Sequence, residues 1–241
     1  MKLVVANWKM NTTLEEALAL AQGIAPVAGV ELVLCPPFPW LTEVARVTSV
    51  ALGAQNMHFE DRGGFTGEVS PVMLKGLCRY VLIGHSERRV HFRETEWAIN
   101  RKVLAALRHG ITPVLCVGET AEQLEHGESG MVVADQLEGA LKDVPSEADV
   151  VIAWDPVWAT MGMATPPSVQ EVGEMCGFIR ETVGRAGVRV LYGGSVTTRN
   201  AGELAALPAI DGALVGSGSL TVEGFTAIAS AFAARPSTGS G

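Results

Sequence analysis

The 241-residue chain lacks the features that several protein classes require. Although 48% of its residues are apolar, it has no apolar run of about 18 residues, the length at which a helix can span a membrane. The opening MKLVVANWKM turns polar too early for a signal peptide. We therefore expect a cytoplasmic protein that does not bind membranes.

Cysteine is also scarce, which argues against disulfides and zinc. Cys35, Cys78, Cys116 and Cys176 lie far apart and form no C-x-x-C pair. Most follow or interrupt apolar segments, as buried free thiols do. For Cys116 a core position is favoured over a nucleophile, because no basic partner is apparent. No metal site is predicted.

Positive charge is in deficit. The chain has 18 Lys and Arg against 26 Asp and Glu, a net charge of −8, with the two signs interspersed. Nucleic acids and anionic membranes need a basic face, so neither is an expected partner. An anionic ligand would have to be held locally by backbone amides and one or two lysines.

What the chain does have is a repeated pattern of short apolar runs. There are eight: 3–6, 31–35, 50–54, 80–84, 112–118, 150–154, 189–194 and 209–216. Segments with helical period separate most of them, and no G-x-G-x-x-G follows the first. This alternation predicts an α/β fold, a closed (β/α)8 barrel of eight parallel strands with outer helices, rather than an open doubly wound sheet.

The barrel is expected to occupy residues 1–234 as one domain, and RPSTGSG at 235–241 has the composition of a flexible tail. Helix signals support the pattern. Thr12 or Thr13 with Glu15 or Glu16 predicts a capping box for the first helix. Further helices are expected at 94–109 and 168–184.

In such a barrel all strand C-termini open on one face, so the residues just past them should share a pocket. The candidates are Asn7, Lys9, His85, Glu87, Asp155, the loop at 193–195 and the loop at 216–218.

Each candidate also has an ordinary structural interpretation. Asp155, before Pro156 and between two tryptophans, is either a turn aspartate or a base in a partly dry pocket. Lys9 is a solvated loop charge or the cation that meets an anionic substrate, with Asn7 as an orienting donor. His85 is a core or capping residue, or a neutral donor at a helix N-terminus.

Glu87 is either a carboxylate in the first turn of that helix or a buried partner of Lys9. The two Gly/Ser loops, which include Ser195, Gly216 and Ser217, are either plain turns or the phosphate site that barrels often build after their last two strands. Neither loop is a Walker motif, so a nucleotide triphosphate is not implied.

The motifs NWKMN, GGFTGEVS, YVLIGHSERR, LCVGE, AWDPVWA, LYGGSV and LVGSGSL occur in this order. In them the chain resembles the triosephosphate isomerase family from about residue 3 to residue 234. The resemblance implies interconversion of dihydroxyacetone phosphate and glyceraldehyde 3-phosphate through an enediolate, as part of glycolysis and gluconeogenesis. It also implies a homodimer that needs no metal or organic cofactor.

The resemblance further implies roles for single residues. Asn7 and Lys9 match the first-strand pair, His85 the electrophilic histidine and Glu87 a buried glutamate. Phosphate contacts are implied for Ser195, Gly216 and Ser217, and Gly162 is expected to supply a lid amide. Thr66 matches the residue that reaches into the partner subunit's active site.

Two single residues and one segment depart from the family pattern. Asp155 stands where the family has its catalytic glutamate, and a carboxylate withdrawn by on the order of 1 Å predicts a loss of about 100-fold in rate. The lid, ATMGMAT at 159–165, is short and lacks the G-T-G-K core. Ser217 replaces a glycine.

These departures leave two other functions open. One is isomerisation of a longer sugar phosphate, such as a tetrulose phosphate, whose carbon would come nearer the base. The other is a barrel that binds a sugar phosphate without converting it.

Overall fold

A computed structural model describes residues 1–160 and 165–233 of the chain. Eight parallel strands pair in sequence order, and β1 pairs with β8 to close the barrel. The strands are β1 (Lys2–Asn7), β2 (Val30–Cys35), β3 (Ala51–Ala54), β4 (Tyr80–Ile83), β5 (Thr112–Val117), β6 (Val151–Trp154), β7 (Arg189–Tyr192) and β8 (Gly212–Val215). This confirms the predicted (β/α)8 barrel and all eight predicted strands.

The helices surround the sheet. They are α1 (Leu14–Gly23), α2 (Phe38–Val47), α3 (Pro71–Leu74), α4 (Ser86–Phe92), α5 (Glu96–Arg108), α6 (Ala121–Glu125), α7 (Ser129–Ala140), α8 (Val157–Thr160), α9 (Val169–Val183), α10 (Ala201–Ala206) and α11 (Val222–Ala233). A short 3-10 helix, Ser217–Ser219, follows β8. No helix in the described part of the chain is long and apolar enough to cross a membrane.

The predicted helix signals are confirmed with one correction. Thr13 and Glu16 form the capping box of α1, and α9 runs from its cap at Ser168 to Gly184. The helix expected at 94–109 begins at Glu96 instead, with Thr95 as its cap. The preceding Arg93 has φ of +53°, which ends α4 and separates the two helices.

Side chains alternate between two packed layers. Leu3 and Val5 of β1 point into the barrel, whereas Val4 and Ala6 pack against the surrounding helices. The same alternation divides β6, so Val151 and Ala153 are interior and Ile152 faces outward. Apolar side chains on both faces explain why each strand reads as an unbroken apolar run. All four cysteines are buried free thiols, as predicted.

A buried ionic cluster fixes α4 against α5. Glu94 accepts hydrogen bonds from Lys102 Nζ and Arg88 Nε, both at 2.5 Å, and Lys102 Nζ also donates to Asn56 Oδ1 at 2.8 Å. Burial raises the pKa of Glu94, but the Lys102 and Arg88 charges outweigh it and the net shift is downward. Burial lowers the pKa of Lys102, and Glu94 offsets this only in part. The cluster therefore holds Glu94 ionised in the interior.

Closure of the barrel depends on a glycine. Gly212 opens β8 with φ of +156°, and a Cβ added there would lie 1.7 Å from the Leu3 carbonyl oxygen. Leu3 is the residue of β1 that pairs with it. No other residue type fits this approach between the first and last strands.

We expect Gly212→Ala to cost about 4 kcal/mol or more of folding free energy, because the methyl group would push β8 away from β1. Guanidinium denaturation at one fixed protein concentration measures the loss. Gly202→Ala in α10 is the control, since its Cβ meets nothing within 4 Å and the change should add about 0.5–1 kcal/mol. Equal stabilities of the two variants would contradict the closure argument.

The Glu94 cluster predicts a pH-dependent loss of stability. At pH 7, Glu94→Gln should cost about 3–5 kcal/mol, because Lys102 keeps a buried charge without its carboxylate. The pKa of Glu94 is lowered in the folded state. Its contribution to the free energy of unfolding is therefore complete above the usual glutamate pKa of about 4.3. That contribution is lost as the pH falls through the lowered pKa of the folded state.

Unfolding free energies at pH 7 and in acid test this. The difference in unfolding free energy between the parent and Glu94→Gln should become smaller as the pH is lowered. Glu43→Gln breaks only the exposed pair with Arg46 and should differ from the parent by less than about 1 kcal/mol at either pH. A Glu94→Gln deficit that stays constant or grows in acid would refute the assignment.

Candidate active site

Asp155 follows β6 and lies at the N-terminus of α4, at the end of the barrel where the strands terminate. Its Oδ2 accepts a hydrogen bond from the Ser86 backbone N–H at 2.9 Å and lies 3.5 Å from His85 Nε2. The residue is only 1% exposed. The first turn of a helix has unpaired N–H groups and a positive dipole end, and both stabilise a carboxylate there.

His85 caps α4 and presents one ring nitrogen to Asp155. Its Nδ1 accepts a hydrogen bond from the Glu87 backbone N–H at 3.3 Å. A neutral imidazole that accepts at Nδ1 carries its proton on Nε2. The local backbone thus assigns Nε2 as the donor, and this nitrogen faces the Asp155 carboxylate.

Lys9 follows β1 and joins the same group. Its Nζ donates to Glu87 Oε1 at 2.7 Å, and the Glu87 backbone N–H is the group that donates to His85 Nδ1. Asp155, His85, Glu87 and Lys9 therefore form a continuous chain of polar contacts, as the barrel predicted. Glu87 is the partner of Lys9 as predicted but is only partly buried, since its side chain is 33% exposed.

The backbone of Lys9 is held in a strained conformation. Its φ is +52°, which is uncommon for a residue other than glycine. The Lys9 N–H donates to Asn7 Oδ1 at 3.0 Å, and Gln55 Nε2 donates to the Lys9 carbonyl at 2.9 Å. Asn7 was expected to be a donor, but in this contact it is the acceptor.

The two Gly/Ser loops line one cavity of about 290 Å3 together with Asn7 and Lys9. Ser195, Gly216 and Ser217 are all part of its wall. A Cβ added at Gly216 would lie 3.4 Å from Lys9 Cε, so the loop after β8 directly adjoins the lysine. The cavity thus combines an ammonium group with loop backbone, a combination suited to a phosphate.

Tyr192 shapes the loop after β7. Its ring occupies the space that a side chain at Gly194 would need, since a Cβ there would lie 2.3 Å from the hydroxyl oxygen. Burial raises the pKa of Tyr192, and a hydrogen bond from the Ser195 backbone lowers it in part. The phenol therefore acts as a neutral support beneath the loop.

Glycines also crowd the backbone of Asp155 from both neighbouring strands. A Cβ at Gly118, after β5, would lie 2.3 Å from the Asp155 carbonyl oxygen. On the other side, a Cβ at Gly193, after β7, would lie 3.3 Å from Asp155 Cβ. The Asp155 N–H donates to the Val117 carbonyl at 2.7 Å. The backbone at this position is closely confined.

Glu119 is a site residue that the sequence reasoning missed. It follows β5 and is fully buried, and its two carboxylate oxygens accept hydrogen bonds from Trp158 Nε1 at 3.0 Å and Trp154 Nε1 at 3.1 Å. Its carbonyl accepts from the Val157 N–H. It therefore positions the residues on both sides of Asp155. Glu119 and Gln55 both lie just past strand ends, so the rule that found the other candidates would have found them.

Two predicted residues are not brought into this group. Thr66 lies in an exposed turn between β3 and α3 and does not line the cavity. Gly162, the expected lid amide, lies outside the described residues, as does the 235–241 tail. Among the described residues, no group of three or more His, Cys, Asp or Glu is arranged to hold a metal ion.

Comparison with known proteins agrees with this geometry. The sequence model described as triosephosphate isomerase matches residues 2–232. The chain is 48% identical over 244 residues to the triosephosphate isomerase of Carboxydothermus hydrogenoformans, covering 93% of this chain and 96% of the relative.

Two further relatives carry the same name. The protein of Caldanaerobacter subterraneus is 46% identical over 242 residues, covering 94% and 97% of the two chains. That of Dehalococcoides mccartyi strain CBDB1 is 42% identical over 240 residues, covering 94% of each chain. With a barrel of the expected topology and a match along nearly its whole length, this chain belongs to the triosephosphate isomerase family.

Proposed function

We propose that the protein interconverts dihydroxyacetone phosphate and glyceraldehyde 3-phosphate. The observation that carries the proposal is the chain of contacts from Asp155 through His85 and Glu87 to Lys9, which lines a cavity suited to one phosphate. The Ser195 loop and the loop of Gly216 and Ser217 would hold the phosphate. Relatives named triosephosphate isomerase support this substrate.

In this proposal Asp155 is the base. Its carboxylate removes the proton from the carbon next to the carbonyl, and the electron pair moves to the carbonyl oxygen to give an enediolate. His85 Nε2–H donates to that oxygen, and the Lys9 ammonium stabilises the negative charge. A proton then passes from the neighbouring hydroxyl to that oxygen by way of His85 Nε2. Asp155 returns its proton to the former carbonyl carbon, and the neighbouring oxygen becomes the new carbonyl.

The position of Asp155 favours slow turnover. Its carboxylate is held by the Ser86 N–H and is almost completely buried, so it must leave this hydrogen bond to reach a substrate carbon. The close contacts of Gly118 and Gly193 restrict compensation by the backbone. A carboxylate that stops on the order of 1 Å short predicts a rate about 100-fold below that of a well-placed base.

We also propose that the protein works as a homodimer through the loop that carries Thr66. Phe65 in this loop is 43% exposed and packs against His58 in a tilted arrangement, with ring centroids 4.2 Å apart. Val72 and Met73 of the following helix α3 are exposed as well. An exposed apolar surface beside an ordered loop is typical of a contact between subunits. The cytoplasmic location stays a prediction.

Substitution of Asp155 tests the base. Asp155→Asn should lower kcat for triose phosphate isomerisation by at least about 1,000-fold, because the amide cannot accept the proton. Asp155→Glu should raise kcat by about 10- to 100-fold, because the added methylene advances the carboxylate. Steady-state kinetics in both directions provide the measurement.

Asp149→Asn is the matched control. Asp149 lies two residues before the start of β6, at the end of the strand opposite to Asp155. It is exposed there and pairs with Arg189, so the substitution should leave kcat unchanged. An Asp155→Asn variant as active as the parent would show that the base is another residue. Parallel assays with a four-carbon ketose phosphate reveal a preference for the longer substrate if kcat/KM is higher with it.

Substitution of Thr66 tests the dimer. The parent should sediment at about twice its chain mass of 25.4 kDa. Thr66→Arg should raise the dissociation constant by about 100-fold, because it buries an unpaired charge between subunits. Thr182→Arg on the exposed face of α9 should leave the dimer intact. A monomeric parent would disprove the proposed assembly.

A further inference from the structure

A second cavity, of about 440 Å3, shares no described lining residue with the cavity formed by Asn7, Lys9 and the two Gly/Ser loops. Its walls come from the residues after β5, the end of β6, the start of α7 and the first turns of α9. The volume falls in the range of about 300–1,000 Å3 that is common for small-molecule sites. It is therefore large enough for a compact organic ligand.

The walls are mainly apolar and aromatic. Trp154 and Trp158 form the buried floor, and Leu124, Pro167 and Met175 form the more exposed sides. Indole rings and a thioether provide polarisable surface that attracts both hydrocarbon and positive charge. This part of the cavity suits an apolar body.

The charged groups of the cavity all have one sign. Glu171 and Glu174 are exposed at the rim, and Glu119 lies behind the floor. None of these three carboxylates forms an ion pair with a described Lys, Arg or His. A hydrogen bond from Ser168 lowers the pKa of Glu171, which keeps this carboxylate ionised at neutral pH. An anion would be repelled from this rim.

Glu119 strengthens the preference for a cation. It is fully buried, and its described hydrogen-bond donors are neutral indole and backbone groups. An indole that donates to a carboxylate is polarised so that its ring faces become more negative. A cation over these ring faces would gain from that negative character.

We propose that this cavity binds an organic ammonium ion with an apolar body, held over the Trp158 floor with its charge near Glu171 and Glu174. The site is separate from the one that takes the sugar phosphate and does not depend on the proposed isomerase activity. Its selectivity rests on charge sign, since the catalytic cavity attracts anions and this one attracts cations.

Titration of the intact protein with benzylammonium chloride at constant ionic strength tests the proposal. Calorimetry should give a dissociation constant on the order of 1 mM, the affinity expected for so small a ligand. In nuclear magnetic resonance spectra the indole N–H signals of Trp154 and Trp158 should shift as benzylammonium is added, and the shifts should level off once the site is full. The signals of Trp8, Trp40 and Trp97 should not. Phosphoglycolate, which targets the other cavity, should leave these shifts in place.

Charge selectivity is tested with a neutral ligand and with variants. Benzyl alcohol should bind at least about tenfold more weakly than benzylammonium. The double variant Glu171→Gln, Glu174→Gln should weaken benzylammonium binding by about tenfold, while Glu181→Gln near the other end of α9 should leave it unchanged.

Several results would overturn the proposal. These are equal affinity for benzyl alcohol and benzylammonium, equal losses in Glu181→Gln and the double variant, displacement of the probe by phosphoglycolate, or saturable shifts confined to the other tryptophans. The double variant's circular dichroism spectrum must match that of the parent, which separates lost charge from lost fold.

Discussion

The hydrogen bonds between β1 and β8 close the sheet on itself, and every polar contact of the site depends on them. Leu3 pairs with Gly212 and Ala6 with Val215, so the residues that follow the two strands emerge side by side. Lys9 consequently adjoins Gly216 even though more than two hundred positions separate them in the chain. Without closure, the ammonium group and the loop after β8 would lie on opposite edges of an open sheet.

The same geometry explains how one small region holds several charged groups. Asp155 uses the first turn of α4, Glu119 uses two indole N–H groups, and Glu87 uses the Lys9 ammonium. Each carboxylate therefore has its own kind of donor. Groups stabilised in different ways can differ in reactivity while they lie close together. Neighbouring strand ends supply these separate environments.

The fold was largely predictable because parallel strands covered on both faces appear in the sequence as short apolar runs. Caps such as Thr13 and Ser168 mark helix starts through local hydrogen bonds, which are also visible in sequence. The start of α5 was placed two residues too early, at Glu94, whose contact with Lys102 is a tertiary interaction rather than a local signal.

The sequence predicted most residues of the candidate site but not the hydrogen bonds that hold them in place. The rule that strand ends converge gave Lys9, His85 and Asp155, and it would have given Glu119 had it been applied after β5. It could not give the hydrogen bond from Ser86 to Asp155, because that contact joins residues 69 positions apart. Nor could it show that Asn7 supports the Lys9 backbone, which follows from an unusual φ at Lys9.

The two glycines beside Asp155 restrict how this chain can change. A side chain at Gly118 would displace the Asp155 backbone, and a Cβ at Gly193 would lie tightly against it, 3.1 Å from the Trp154 carbonyl oxygen. Adjustments to the reach of the acid must therefore come from residue 155 itself or from the segment that follows it. A directed-evolution library for faster variants would accordingly do best to leave both neighbours fixed and diversify the chain after Pro156.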